Sequence, residues 1–220
     1  MKKLGIGIDF GTTNSLASVW GSDVIRILDK QGGQPKPVVF WHNDGMLGNR
    51  PHPSVVWLKP DDSVVVGYEA RRNMQELSGT LGHCFVRSVK RSLTSRQEWL
   101  HGARRLAPYE IASEVFKHLK RDGENHPAIH GHTFGSCVVT VPVGFSGEQR
   151  REIRRAMERA GLELQGFVHE PFAAMVSHFY HPEKKLSALQ ELYLGSNALS
   201  VLTPQVHTSI RFSCSLAFWH

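Results

Sequence analysis

The feature that most constrains this chain is a short apolar segment that ends in an aspartate and a Gly-Thr-Thr turn. Residues 4–9 (LGIGID) are typical of a β-strand, residues 11–13 (GTT) form the turn, and a second strand follows at residues 15–20. Glycine lets the backbone approach a ligand closely, and successive N–H groups in such a turn make an anion-binding concavity. Asp9 can hold Mg²⁺ through water, because Mg²⁺ keeps most of its hydration shell. The pattern predicts a phosphate-binding hairpin, although an ordinary hairpin turn explains the same residues equally well.

Strands and helices alternate in the second half of the chain. The predicted elements there are a helix at 108–120, a strand at 136–141, a helix that starts at the Ser146–Gln149 capping box and ends at Gly161, a strand at 167–168 and a helix at 172–179 opened by Pro171. The first half predicts further strands at 24–28, 38–41, 55–58 and 64–66, a turn at 60–63, and a helix at 69–77. This alternation indicates an α/β fold.

Composition narrows the class of protein. The chain is 40% hydrophobic and 21% charged, which is typical of a soluble globular protein. We find no apolar run long enough for a transmembrane helix, and Asp9 interrupts the apolar start, so we expect neither a membrane partner nor a signal peptide. Cys84, Cys137 and Cys214 are far apart and odd in number, which favours a reducing, cytoplasmic location over a disulfide scaffold.

The net charge of +6 raises the question of a nucleic-acid partner. The basic residues are scattered, and the densest group, between Arg150 and Arg159, alternates with glutamates on a predicted helix. A solvated, ion-paired helix face explains that group, so we expect no nucleic acid. His126, His130 and His132 lie among glycines and a proline, which favours a surface loop over a metal site.

The last 35 residues differ from the rest. Residues 186–220 contain only Glu191 and Arg211 as charged residues, in a chain with 26 Lys and Arg and 20 Asp and Glu. They are rich in Ser, Thr and Leu and show no clear periodicity. We therefore expect residues 186–220 to be a non-homologous, poorly ordered or aberrant tail.

Four segments together resemble one family. Residues 7–15 (GIDFGTTNS) resemble the first phosphate motif of DnaK-type heat-shock protein 70 chaperones, and three further segments follow in the family's order. These are residues 86–91 (VRSVKR), residues 139–150 (VTVPVGFSGEQR), and residues 160–174, which contain AGL and HEPFAA. The resemblance covers residues 3–182. It implies lobe I of an actin-like ATPase, with a ribonuclease H-like α/β core at 3–32 and 107–182 and an inserted α+β subdomain at 33–106.

The resemblance also implies roles for single residues. It implies a nucleotide site for ATP and Mg²⁺ formed by Asp9, Gly11, Thr12, Thr13 and Asn14, with Asp9 ordering the water shell of Mg²⁺. Lys90 and Glu170 take the catalytic positions, and Pro142 and Arg150 the relay between the nucleotide site and a substrate domain. Without the resemblance, Lys90 is a surface lysine in a basic stretch, Glu170 a carboxylate at a helix start, and Pro142 a strand terminator.

Departures from the family limit the expected activity. The family's second phosphate hairpin, Asp-x-Gly-Gly-Gly-Thr, should follow Glu170, but Gly195 is the only glycine in residues 171–220. The second lobe and the substrate-binding domain have no counterpart in the sequence either. We therefore hypothesise a frameshift or truncation near residue 185, and an ATP-binding lobe that does not hydrolyse ATP alone. Whether the chain is an enzyme stays open.

Two other functions remain open. Sugar and small-molecule kinases share the actin-like fold and an Asp-x-Gly-Thr turn, but we find no aspartate placed as their general base. The chain is alternatively a non-catalytic fragment that caps a partner. The full-length chaperone reading implies unfolded peptide clients and co-chaperones as partners.

Overall fold

The structure is a computed structural model that describes residues 2–20, 37–40, 42–43, 49–129 and 131–179. The predicted strand at 24–28 and the predicted tail at 186–220 lie outside the described residues. None of the helices in the described part is long and apolar enough to cross a membrane.

Short strands dominate the first half of the described chain, and longer elements the second. The strands are β1 (Lys2–Phe10), β2 (Asn14–Trp20), β3 (Pro37–Phe40), β4 (His42–Asn43), β5 (Asn49–Arg50), β6 (His52–Pro53), β7 (Val55–Leu58), β8 (Val64–Val66), β9 (Cys84–Arg87), β10 (Trp99–His101), β11 (Arg104–Leu106), β12 (His132–Val141) and β13 (Glu163–His169). The helices are α1 (Tyr68–Leu77), α2 (Pro108–Glu124), α3 (Gly147–Arg159) and α4 (Glu170–Phe179), with short 3₁₀ helices at Val89–Ser92 and Pro127–Ile129.

One mixed sheet organises the fold. Its strand order is β13-β12-β1-β2-β3, and β6 also pairs with β2. Strands β1, β12 and β13 are parallel, whereas β2 and β3 continue the sheet in antiparallel fashion. Helix α3 makes the crossover that a parallel β12–β13 pair requires. This mixed arrangement confirms the predicted α/β class.

A smaller antiparallel sheet, in the order β8-β7-β9, packs against α1. Strand β7 is buried along its whole length, and its residues alternate between two cores. Val56 and Leu58 join the core of the main sheet, whereas Val55 and Trp57 pack with the helix side of the small sheet. The small sheet is therefore attached to the main one through its own central strand.

The two long helices begin and end as their sequences predict. Pro108 is at the first position of α2, where its missing N–H is no loss, and the backbone N–H of Ala107 donates to the Glu110 carboxylate at 3.1 Å. In α3, Ser146 and Gln149 form the predicted reciprocal capping box. Gly161 follows α3 at φ +68, the left-handed conformation that favours glycine.

Several predictions on these elements need correction. The predicted strand at 167–168 is the seven-residue β13, and the last helix, predicted at 172–179, begins two residues earlier, at Glu170. His132 is the first residue of β12 and pairs with Lys2, so its prediction as a loop residue was wrong. The ion-paired face of α3 is confirmed, because Arg155 bonds Glu152 at 3.0 Å and Arg159 lies 3.2 Å from Glu110.

Candidate functional site

Three polar residues lie at the carboxyl ends of neighbouring parallel strands, at one edge of the main sheet. Because β1, β12 and β13 are parallel, their carboxyl ends lie together, at Phe10, Val141 and His169. The register places Asp9 opposite Thr140 and Thr140 opposite Val168, and Glu170 follows β13 directly. Residues distant in sequence are thereby collected at one edge, the position at which open α/β sheets bind ligands.

Asp9 is fixed by a neighbour that the sequence analysis did not single out. The hydroxyl of Thr140 donates to Oδ1 of Asp9 at 2.7 Å. Thr140 is buried and Asp9 half-buried, so this bond sets the direction of a carboxylate that still reaches solvent. A threonine within the apolar run of β12 was the available signal, but only the β1–β12 register explains it.

The turn between β1 and β2 is tight, and hydrogen bonds from Ser54 hold it in place. An added Cβ at Gly11 would collide with the carbonyl oxygen of Asn14, so only glycine fits there without a shift. Ser54, just before β7, holds the turn twice. Its hydroxyl donates to the Gly11 carbonyl and its N–H donates to the Thr13 carbonyl, both at 2.9 Å. The predicted hairpin is therefore confirmed as a structure.

The remaining turn residues face more open surroundings. Thr12 is half-buried and Thr13 exposed, whereas Asn14 accepts a hydrogen bond from the Arg71 guanidinium at 3.0 Å. Arg71, on α1, adds positive charge next to the turn. These groups supply hydroxyl donors and a cation on the surface where an anion would lie.

Lys90 is buried, so the alternative interpretation of it as a surface lysine is wrong. It retains 5% exposure in the 3₁₀ helix Val89–Ser92. Its Nζ donates to Oε1 of Glu170 at 2.7 Å and lies 5.7 Å from the centre of the Phe145 ring. Ser88, immediately before this 3₁₀ helix, adopts φ +56, a rare conformation for serine. Ser88 thus changes the direction of the backbone just before Lys90, and the Lys90 side chain reaches the residue that follows β13.

The predicted relay residues occupy the turn and helix after β12. Pro142 follows the strand directly and accepts a hydrogen bond from the N–H of Phe145 at 3.1 Å. Arg150 lies in the first turn of α3, and its Nε is buried with no hydrogen-bond partner among the described residues. Phe145 connects this turn to Lys90 through the ring contact.

A cleft of about 640 Å³ opens beside the turn. Its polar walls include Thr12, Thr13, Arg71 and Arg87, and the rest comes from α1, β9 and the segment up to Trp99. Asp9, Lys90 and Glu170 are not among its lining residues. The cleft therefore shares the turn residues Thr12 and Thr13 with the candidate site but does not include its carboxylates or its lysine.

These features define the class to which the chain belongs. It is an α/β protein whose parallel strands end in two carboxylates and a buried lysine beside a Gly-Thr-Thr turn. A family model described as Hsp70 protein matches residues 5–202, and the chain belongs to that family. Membership implies an actin-like ATPase fold, with which the mixed sheet agrees.

Curated relatives carry the same assignment. Proteins called "Chaperone protein DnaK" are similar to this chain in Mycoplasmopsis agalactiae (31% identity, 91% of this chain, 29% of that protein) and Thermoplasma acidophilum (29% identity, 89% and 29%). A third, from Cenarchaeum symbiosum, is 29% identical over 89% of this chain and 27% of its own length. The chain thus spans less than a third of the relatives it matches. The family match continues past residue 182, where the motifs stop, and reaches residue 202.

Proposed function

We propose that this chain is the ATP-binding lobe of a heat-shock-type molecular chaperone, and that residues 3–182 form lobe I. The observation that carries the proposal is the convergence of Asp9, the 11–13 turn, Glu170 and the buried Lys90 at one sheet edge. The domain division expected from the sequence, with the core at 3–32 and 107–182 and the insertion at 33–106, is part of this proposal. The separate small sheet β8-β7-β9 supports it.

The turn and the lysine are suited to a polyphosphate. In the proposal, the hydroxyls of Thr12 and Thr13 and the side chain of Asn14 contact the phosphate oxygens. Gly11 keeps the backbone close to them, and Lys90 stabilises the negative charge that phosphoryl transfer develops. Ser54 holds the turn rather than the ligand, whereas Arg71 bonds Asn14 and adds positive charge beside the position of the phosphates.

The residues at the edge also fit Mg²⁺. Mg²⁺ prefers oxygen ligands and retains several waters, and the half-buried Asp9 and Glu170 carboxylates offer oxygens without a soft ligand beside them. Bound Mg²⁺ supplies charge neutralisation for the phosphates. Thr140 orients Asp9 toward such a water shell, and the ion pair with Lys90 orients Glu170.

Coupling to other parts of a longer protein is a further piece of the proposal. Pro142 directly follows β12 and Arg150 lies in the first turn of α3, and an Arg150 Nε without a partner among the described residues suits a residue that exchanges partners. Unfolded peptides and co-chaperones are the partners we propose for the whole protein, in the cytoplasm. The actin-like sugar kinase alternative finds no support in the family match.

The test is calorimetric titration of the 220-residue chain with MgATP, and separately with a hexose. We expect weak ATP binding that depends on Mg²⁺. Asp9→Asn should lower the affinity by about 10-fold or more, because it removes a charge-assisted contact. Hexose should not bind, and hydrolysis should be negligible because one lobe supplies one face of the site. Matched Asp61→Asn, at an exposed turn, should bind ATP unchanged.

Three results would overturn parts of this proposal. Hexose binding would favour the kinase. ATP turnover by this chain that disappears in Lys90→Ala would show that the lobe is catalytic alone. No ATP binding at millimolar concentration would leave the non-catalytic fragment as the better assignment.

A further inference from the structure

A second polar cluster combines residues of β4, β6 and α2, and it shares no residue with the edge that contains Lys90. It contains His42 of β4, His52 of β6, and His118 and Asp122 of α2. His52 and His118 are buried, His42 is half-buried, and the Asp122 side chain is 31% exposed. None of these side chains has a part in the proposed nucleotide site.

Hydrogen bonds fix the proton positions in this cluster. His52 Nε2 lies 3.0 Å from the Phe40 carbonyl oxygen, which can only accept, so neutral His52 has its lone pair on Nδ1. The Arg121 guanidinium donates to Nδ1 of His118 at 3.2 Å, which places the His118 proton on Nε2. His118 Nε2 then donates to Nδ1 of His52 at 3.0 Å.

The carboxylate of Asp122 faces the same two nitrogens. Its Oδ2 lies 3.7 Å from Nδ1 of His52 and 3.5 Å from Nε2 of His118. The lone pair of His52 Nδ1 and the carboxylate of Asp122 therefore lie close together.

The spacing is close to that of a metal site. One nitrogen each of His42 and His52 and one oxygen of Asp122 all lie within 4.8 Å of one another. Ligands of a tetrahedral zinc ion, with bonds of about 2.0–2.2 Å, are separated by about 3.3–3.5 Å. A modest approach of the half-buried His42, whose ring stacks on Tyr68 at 4.5 Å, would close the site.

We propose that His42, His52 and Asp122 bind one zinc-class divalent cation, with the fourth position left to water. Imidazole nitrogens with a carboxylate suit zinc, nickel and copper rather than Mg²⁺. The ring N–H that His52 donates to a backbone carbonyl is the support that metal-binding histidines usually have. His118 is a positioning residue. Its Nε2–H donates to His52 in the absence of the ion and can donate to Asp122 once the ion binds the His52 lone pair.

The bound ion would connect three separate elements. Strands β4 and β6 belong to the segment predicted as an insertion, whereas α2 belongs to the predicted core. An ion that binds the folded chain and not the unfolded one stabilises the fold in proportion to its concentration over its dissociation constant. The inference concerns structure and does not depend on the proposed nucleotide site.

The test uses the reduced 220-residue chain, stripped with chelator and with its reactive thiols blocked by N-ethylmaleimide. Calorimetric titration with Zn²⁺ should give one site per chain that excess Mg²⁺ does not displace. His42→Gln and Asp122→Asn should each lower the Zn²⁺ affinity by about 100-fold or more. Loss of a ligand should cost at least as much as loss of the hydrogen-bond partner that orients a ligand. His83→Gln is the matched control, because His83 is also half-buried and stacked on an aromatic ring, that of Trp57.

The readouts distinguish a metal site from a neutral hydrogen-bonded cluster. Co²⁺ bound in place of Zn²⁺ should give visible absorption bands of tetrahedral coordination, and these should be lost in His42→Gln and kept in His83→Gln. The proposal is overturned if the unsubstituted chain binds no Zn²⁺. It is equally overturned if His42→Gln and Asp122→Asn bind Zn²⁺ as tightly as the unsubstituted chain, because the ion then lies elsewhere.

Discussion

The amine of Lys90 lies 2.7 Å from Oε1 of Glu170, a contact between residues 80 positions apart that joins a 3₁₀ helix to the start of α4. Lys90 is almost fully buried and the Glu170 side chain is 39% exposed. Among the described residues, Glu170 is the carboxylate that pairs with this buried lysine, so the lysine depends on it.

Removing that partner should destabilise the chain more than removing a partner on the surface. We expect Glu170→Gln to lower the free energy of unfolding by about 2 kcal/mol, below the full loss for a buried pair because Glu170 reaches solvent. Urea denaturation measures the change. The matched control is Glu114→Gln, whose partner Lys117 is also at 2.7 Å but 42% exposed, and it should cost about 0.5 kcal/mol. Equal losses of stability in the two variants would contradict the conclusion that Glu170 stabilises a buried lysine.

The turn at Gly11 should not accept a side chain. Gly11→Ala forces a Cβ against the Asn14 carbonyl oxygen, and we expect it to lower the free energy of unfolding by about 1–3 kcal/mol. Gly144→Ala is the control, since no atom lies within 4 Å of its added Cβ. Thermal denaturation of both variants checks this, and a melting temperature of Gly11→Ala equal to that of Gly144→Ala would show that the turn relaxes.

The cap of α3 should contribute measurably to stability. Ser146 accepts a hydrogen bond from the Gln149 N–H at 3.1 Å, so Ser146→Ala should lower the free energy of unfolding by about 1 kcal/mol. Ser146→Asp keeps an acceptor at the cap and should be close to neutral. If chemical denaturation finds the two substitutions alike, the cap does not stabilise this helix.

The thiol of Cys137 should be inert in the folded chain. Burial, with a smaller effect from Glu163, raises its pKa to about 12, so thiolate at pH 8 is about 1,000-fold scarcer than for a thiol at its ordinary pKa of 9.0. We expect iodoacetamide to modify Cys137 only after denaturation. Peptide mass spectrometry of native and unfolded samples measures this.

Cys84 is the internal comparison for that experiment. Burial also raises its pKa, but the side chain is only half-buried, so it should react slowly in the native chain and faster than Cys137. Native modification of Cys137 at the rate of Cys84 would mean that β12 opens readily.

Local signals in the sequence were sufficient to predict the elements that depend mainly on their own residues. Pro108 and the apolar periodicity predicted α2, and Ser146 with Gln149 predicted the start of α3. Strands β9, β10 and β11 were not predicted, because each contains at most one β-branched residue, unlike the valine-rich β7 and β8 of the same length, and each depends on a partner strand for its formation.

The site was predictable only in part for a related reason. Asp9 and the turn are contiguous and carry their own pattern, whereas Thr140 becomes meaningful through the pairing of β1 with β12. The resemblance pointed to Lys90, but neither its burial nor the left-handed backbone at Ser88 just before it is displayed by the sequence. The histidine cluster combines residues from three elements, and no spacing in the sequence connects them.

The pairing of β1 with β12 has a consequence during protein synthesis. Lys2 pairs with His132 and Asp9 with Thr140, so β1 is synthesised well before the strand with which it pairs in parallel. At about 5–20 residues per second, ribosomes need roughly 7–26 s to make the intervening chain. During that interval, β2 is the one of these two described neighbours that is available to β1, and the Ile6 and Ile8 side chains lack the core that later buries them. A nascent chain therefore exposes, for seconds, apolar strand residues that the finished fold covers.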